Sequence, residues 1–280
     1  MPHTHTLPPI DLSLRDSLHH ERHLMSEADI PIVTVSSTFL DAFPKSEPRF
    51  HSEEIVYSRA HYSQAIACLI AAVRLQKTAW LIDPTNYVSA ADWPKILLTE
   101  KLAELIVRSE FLMALRQILE SRARNKLPIN AAITPPLLYV TDAITRPILA
   151  LHYEAANILI ANGHKVLAVV TDPYIRDQYL IHALNPNLYF AVFDPATKDE
   201  LLAHFKGRTL KGPTLESRVI VTGPPVDPRV VDQRRHKHPQ DLHTRPLRLA
   251  ITTGGTGTNK EEIKTLLASL SPRLKGQTTT

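Results

Sequence analysis

Glycine is scarce in this chain, with 8 in 280 residues, so tight left-handed turns and backbones that closely approach a ligand must be few. Three of those glycines, Gly254, Gly255 and Gly257, fall within four positions. A single cysteine, Cys68, excludes an internal disulfide and a cysteine-based metal site. Its neighbours Ala67, Leu69, Ile70 and Ala71 point to a buried, inert thiol. Aromatic residues make up only 6% and none is interleaved with the basic run at residues 234–238, which weighs against nucleic-acid binding. No apolar run approaches the roughly 20 residues needed to span a bilayer. Residues 1–9 lack the basic-then-apolar order of a signal peptide, so the expected compartment is the cytoplasm, with docking on a membrane face left open.

Against these absences stand 44% hydrophobic and 21% charged residues, a balance that builds an ordinary globular core. The formal charge of +4 is mild; it permits attraction to phosphate or anionic lipid without requiring it. Residues 1–30 carry His3, His5, His19, His20 and His23 among Pro, Ser and charge with no period, and read as a mobile arm. From there apolar β-branched runs alternate with amphipathic stretches. Strands are expected at residues 32–39, 78–82, 137–140, 166–170, 189–193 and 219–221. Helices are expected at 58–75, over a long stretch from 93 to 125, and at 144–162, where Gly163 is placed to cap the C-terminus. Another is expected after Thr197, which has capping-box spacing to Glu200. Continuous apolar strands separated by helices are the pattern of a parallel sheet covered on both faces, an α/β Rossmann-like domain over residues 31–228. Residues 229–246 are basic and proline-punctuated, a linker, and 247–280 begin a second α/β unit.

Parallel sheets bind ligands beyond the carboxyl ends of their strands. Four informative places fall at such ends: the segment before His61, Asp142, Asp172 and Gly223. His61, in Arg59-Ala-His-Tyr-Ser-Gln-Ala65, stands on the first turn of a helix, where a neutral imidazole is favoured and can act as a general base. In residues 221–228, Gly223 ends a strand and Pro224 with Pro225 forces an extended exit, a rigid hinge. Residues 249–263 read as strand, Gly-Gly-x-Gly turn and helix. There the amides of Gly254, Gly255 and Gly257 could cradle a phosphate, with hydroxyls from Thr256 and Thr258.

Taken in order, these segments resemble the GT-B glycosyltransferase superfamily of monogalactosyldiacylglycerol synthase, processive diacylglycerol glucosyltransferases and MurG. The matches are His61 with Ala65, Thr171-Asp172, then Thr222, Gly223, Pro225, Val226 and Pro228, and finally Gly254, Gly255 and Gly257. The family's glycines before the histidine are Ser58, Arg59 and Ala60 here. The resemblance implies sugar transfer from a nucleotide diphosphate, such as a UDP-sugar, to a lipid-type acceptor at or near a membrane surface. His61 would take the acceptor proton, and Asp172 would orient the acceptor or that histidine. The Gly254–Thr258 turn would hold the leaving diphosphate, with no metal and no cofactor. The family's second domain needs about 150 residues and only 34, from Leu247 to Thr280, stand here, so the 280-residue chain is expected to be inactive on its own. A non-catalytic lipid- or partner-binding module and a nucleotide-sugar epimerase-like protein are the alternatives.

Overall fold

The computed structural model describes residues 12–36, 59–89, 91–94, 96, 128–206, 214–235, 251 and 260–275. Two compact units emerge, residues 1–232 and 233–280. The first is built on six strands: β1 (Ile30–Val33), β2 (Ala79–Ile82), β3 (Ile148–Ala150), β4 (Val166–Val169), β5 (Leu188–Val192) and β6 (Val219–Val221). They form one sheet in the order β2-β1-β3-β4-β5-β6, and every pairing is parallel. This is an α/β fold consistent with a Rossmann-like arrangement.

Alternation along the strands sends side chains to two different cores. Ile32, Leu151, Val169 and Ala191 point to one face, where Ala65, Cys68 and Leu69 of helix α2 (Arg59–Arg74) cover them. Val33, Ile148, Ala150, Val166, Ala168, Phe190 and Val192 point to the other. That larger core is closed by helices α1 (Leu12–Glu27), α3 (Pro128–Thr141), α4 (Tyr153–Ala161), α5 (Asp177–Leu180) and α6 (Pro195–Ala203). The two-sided cover follows from the strand order. The chain moves from β1 to β2 in one direction and then crosses to β3 on the far side of β1, so right-handed crossovers deposit helices on opposite faces. The reversal lies between β1 and β3, and the carboxyl edge there is where such sheets open to ligands.

Several elements differ from the sequence reading. Residues 12–27, assigned to the mobile arm, form α1, and Leu18 and Met25 on it are fully buried. Residues 137–140, read as a strand, lie in α3. Leu137, Leu138, Tyr139 and Val140 are all buried there, so the helix shows an unbroken apolar run instead of a 3.6-residue stripe, and Pro135 and Pro136 inside it disguise it further. Residues 144–162, read as one helix, divide into β3 and α4. His152 separates them as the N-cap of α4, its side chain accepting from the Glu154 amide at 3.2 Å. The expected cap at Thr197 sits one turn inside α6. The N-cap is Asp194, whose carboxylate accepts from the Thr197 amide and hydroxyl at 2.7 and 2.8 Å, with Pro195 at the first helical position. The long helical stretch expected at 93–125 lies outside the described residues beyond Ile96.

Gly163 does end α4, with φ +85°. Its amide donates to Ile160 O at 3.1 Å and the His164 amide to Leu159 O at 3.1 Å, a Schellman cap. β6 ends at Val221 and the chain continues through Gly223 to α7 (Pro228–Arg235), started by Asp227, which accepts from the Arg229 amide at 2.8 Å. The second unit contains helix α8 (Lys260–Lys275), with Glu261 and Glu262 in its first turn and Leu266 and Leu267 exposed.

Candidate functional site

The site begins with α2. Its first turn delivers His61 to the carboxyl edge of the sheet, and Ala65 anchors the next turn in the core against Ile32 and Leu151. The imidazole Nδ1 lies 2.8 Å from the carbonyl oxygen of Leu151, the residue that follows β3. A carbonyl can only accept, so Nδ1 carries the proton and donates. That leaves Nε2 as the lone-pair nitrogen of a neutral ring. Burial pulls the imidazole below its ordinary value of 6.5, against the Leu151 bond and the charge of Asp172, while Arg176 pulls the same way as burial. The ring is therefore held as an uncharged base, its tautomer set by the backbone.

One turn further along α2, Gln64 Nε2 donates to Thr171 O at 3.2 Å. The N-terminal turns of α2 are thus tied to the ends of both β3 and β4. Thr171 is fixed in turn by Tyr179, whose hydroxyl lies 3.2 Å from the Thr171 amide and 3.3 Å from Val169 O. Burial pushes the Tyr179 phenol up to about 12, so it stays protonated and can donate to Val169 O. Asp172 pairs with Arg176, Oδ2 to Nε at 2.6 Å, and the Arg176 guanidinium lies over the Tyr174 ring. The His152 ring meets His61 edge-on at 4.9 Å between centroids.

The structure thus brings His61 and Asp172 to one edge, at the strand reversal. Their relationship differs from the simplest reading of the motifs: the His61 ring is oriented by Leu151 O, and Asp172 is bonded to Arg176 and acts on the imidazole through its charge. Gly223, with φ +78°, and Pro225 stand past the end of β6, where Thr222 extends the ladder by donating to Val192 O at 3.0 Å. Asp142 is not at a strand end. It follows α3 and pairs with Arg22 at 2.9 Å. Gly254, Gly255, Thr256, Gly257 and Thr258 lie outside the described residues.

Comparison with family models, with curated proteins and with solved structures gave no match.

Three members of the edge were not singled out by sequence: Gln64, His152 and Arg176. The spacing of three between His61 and Gln64 places both on one helical face and was the available signal. His152 was hidden inside an expected helix, and Arg176 is a solvent-type residue until Asp172 is seen beside it. Among the described residues no group of three or more His, Cys, Asp or Glu side chains could hold a metal ion. No helix among them is long and apolar enough to cross a membrane.

Proposed function

We propose that residues 31–228 form the acceptor side of a GT-B-type glycosyltransferase, in which His61 is the general base. The observation that carries this reading is the His61 Nδ1 to Leu151 O bond, which leaves Nε2 basic and unprotonated at the carboxyl edge where the strand order reverses. An acceptor hydroxyl would lose its proton to Nε2 while its oxygen forms a bond to the anomeric carbon of the donor. The bond from that carbon to the nucleoside diphosphate would break, and the diphosphate would leave with the electron pair. Donors to the diphosphate would stabilise the charge that develops on it. The resemblance makes the acceptor lipid-type and the donor a UDP-sugar.

The experiment is a titration of the chain, labelled with 15N-histidine, with 1,2-dioctanoylglycerol, read at the His61 ring nitrogens. Binding moves the Nε2 resonance and leaves Nδ1, already bonded, nearly fixed. A His61 ring that does not respond to the hydroxyl-bearing lipid sinks the reading. Where transfer from UDP-glucose or UDP-galactose is measurable, His61→Ala slows it by about 10²- to 10⁴-fold. An undiminished rate removes His61 from the chemistry.

A further inference from the structure

His61 and Gln64 make the same use of their two ends. Each spends its donor on a carbonyl just past the end of a strand, His61 Nδ1 on Leu151 O at 2.8 Å and Gln64 Nε2 on Thr171 O at 3.2 Å. Each is left with an uncharged acceptor, Nε2 on the ring and Oε1 on the amide. The Gln64 assignment is forced, because only the amide nitrogen can donate to a carbonyl. Gln64 Oε1 is buried and has no hydrogen-bond partner. A buried acceptor left unmet costs free energy, and in a native protein it calls for an occupant.

A second orphan lies beside the pair. Thr34 follows β1 and shares the sheet face of Ile32, the face covered by α2. It stands level with Leu151, whose amide donates to Val33 O at 2.8 Å. Thr34 is fully buried and its Oγ1 also has no partner. Two unmet polar atoms on two different elements, beside an imidazole whose lone pair is unspent, make a site for hydrogen-bond donors.

We infer that Gln64 is a second binding residue of this site and that the ligand it reads carries two hydroxyl groups on adjacent carbons. The inference rests on the reading of His61 as the base that meets a hydroxyl. His61 and Gln64 are three residues apart on one helix, so their Cβ atoms are about 5–6 Å apart. Two acceptors carried on one face of a helix can take one hydroxyl each from a vicinal diol. His61 Nε2 holds the hydroxyl to be deprotonated, and Gln64 Oε1 accepts from its neighbour. Both acceptors on α2 are uncharged, and Asp172, whose charge reaches the imidazole, is already paired with Arg176. A neutral polyol headgroup, such as a sugar ring or a glyceryl group, fits these chemical terms better than an ammonium group.

The test uses the full chain and two short alcohols with the same eight-carbon skeleton, 1,2-octanediol and 1-octanol, with the His61 15N resonances as readout. The diol is expected to bind about tenfold more tightly than the mono-alcohol, the effect of one added hydrogen bond. In Gln64→Leu the diol should bind no more tightly than 1-octanol. Equal binding of the two alcohols to the unmutated chain overturns the inference and leaves the base reading standing, and needs no variant to fold. A diol preference that survives in Gln64→Leu also overturns it. If neither alcohol moves the His61 resonance, the reading of His61 as a hydroxyl-binding base falls as well.

Discussion

The Asp83 carboxylate accepts from both the amide and the hydroxyl of Ser36, at 2.9 and 2.8 Å, and so joins the carboxyl end of β2 to that of β1. Its other oxygen accepts from the Thr85 amide and hydroxyl at 3.0 and 2.6 Å. Burial pushes this carboxyl above its usual range, while the four donors pull it back toward the ionised form. Removing it strands all four donors in a dry environment. Asp83→Ala is expected to cost about 3 kcal/mol, measured as the loss in urea unfolding free energy. Asp83→Asn keeps the shape but turns an NH₂ toward two of the donors, and should recover little of that loss. A change below about 0.5 kcal/mol in either variant would show that the junction contributes nothing.

Arg218 should be the most costly charged residue to remove. It is fully buried, and Nη1 donates to the carbonyls of Ala183, Asn185 and Leu188 at 3.1, 2.8 and 2.6 Å. Ala183 and Asn185 lie in the turn that leads into β5 and Leu188 begins that strand, so one side chain from just before β6 shapes the entry to β5. Arg218→Met leaves the carbonyls unmet and should destabilise by about 3 kcal/mol, whereas Arg218→Lys retains a donor and should lose about half as much. The ordering of the two denaturation midpoints is the measurement. Equal midpoints would mean that packing of the side-chain stem, and not the donors, holds the turn.

Gly163 separates backbone strain from crowding. A Cβ built there meets nothing within 4 Å, yet φ is +85°. Gly163→Ala is therefore expected to lower stability by about 1 kcal/mol through the left-handed conformation alone. Gly163→Asn, which tolerates that region, should lose less. A stabilised alanine variant would contradict the cap.

His61 contributes to the pH dependence of folding. Its folded-state value lies below the ordinary 6.5, because burial disfavours the imidazolium. The unfolded chain therefore takes up a proton at this position before the folded chain does. The contribution to stability is complete above about pH 6.5 and is lost as pH falls from there toward the folded-state value. Unfolding free energy measured between pH 7.5 and 5 should fall less steeply in His61→Asn than in the unmutated chain. Parallel curves would show that this ring does not titrate differently on folding.

The α/β class, the strands β2, β4, β5 and β6, and helix α2 were legible because each obeys one rule: an apolar run bounded by a turn, or a stripe at helical spacing. α3 was not, since its last turns are buried on every side and carry no stripe, and its Leu137–Val140 run fits a strand equally well. β3 was lost because only three residues form it, and the order that makes it a strand comes from its neighbours β1 and β4. α1 was masked by its polar content, though Leu18 and Met25, seven residues apart, lie on one helical face and both reach the core. At the site, a histidine at a helix start was visible from local rules. The carbonyl that sets its tautomer was not, because Leu151 is 90 positions away.

That separation bears on how the protein comes into being. The His61–Leu151 and Gln64–Thr171 bonds close loops of 90 and 107 residues, and the strands they join pair in parallel. Long closures are entropically slow to form. The imidazole therefore acquires its environment only after β1, β3 and β4 have aligned, and a nascent chain cannot complete this edge until residue 171 has left the ribosome.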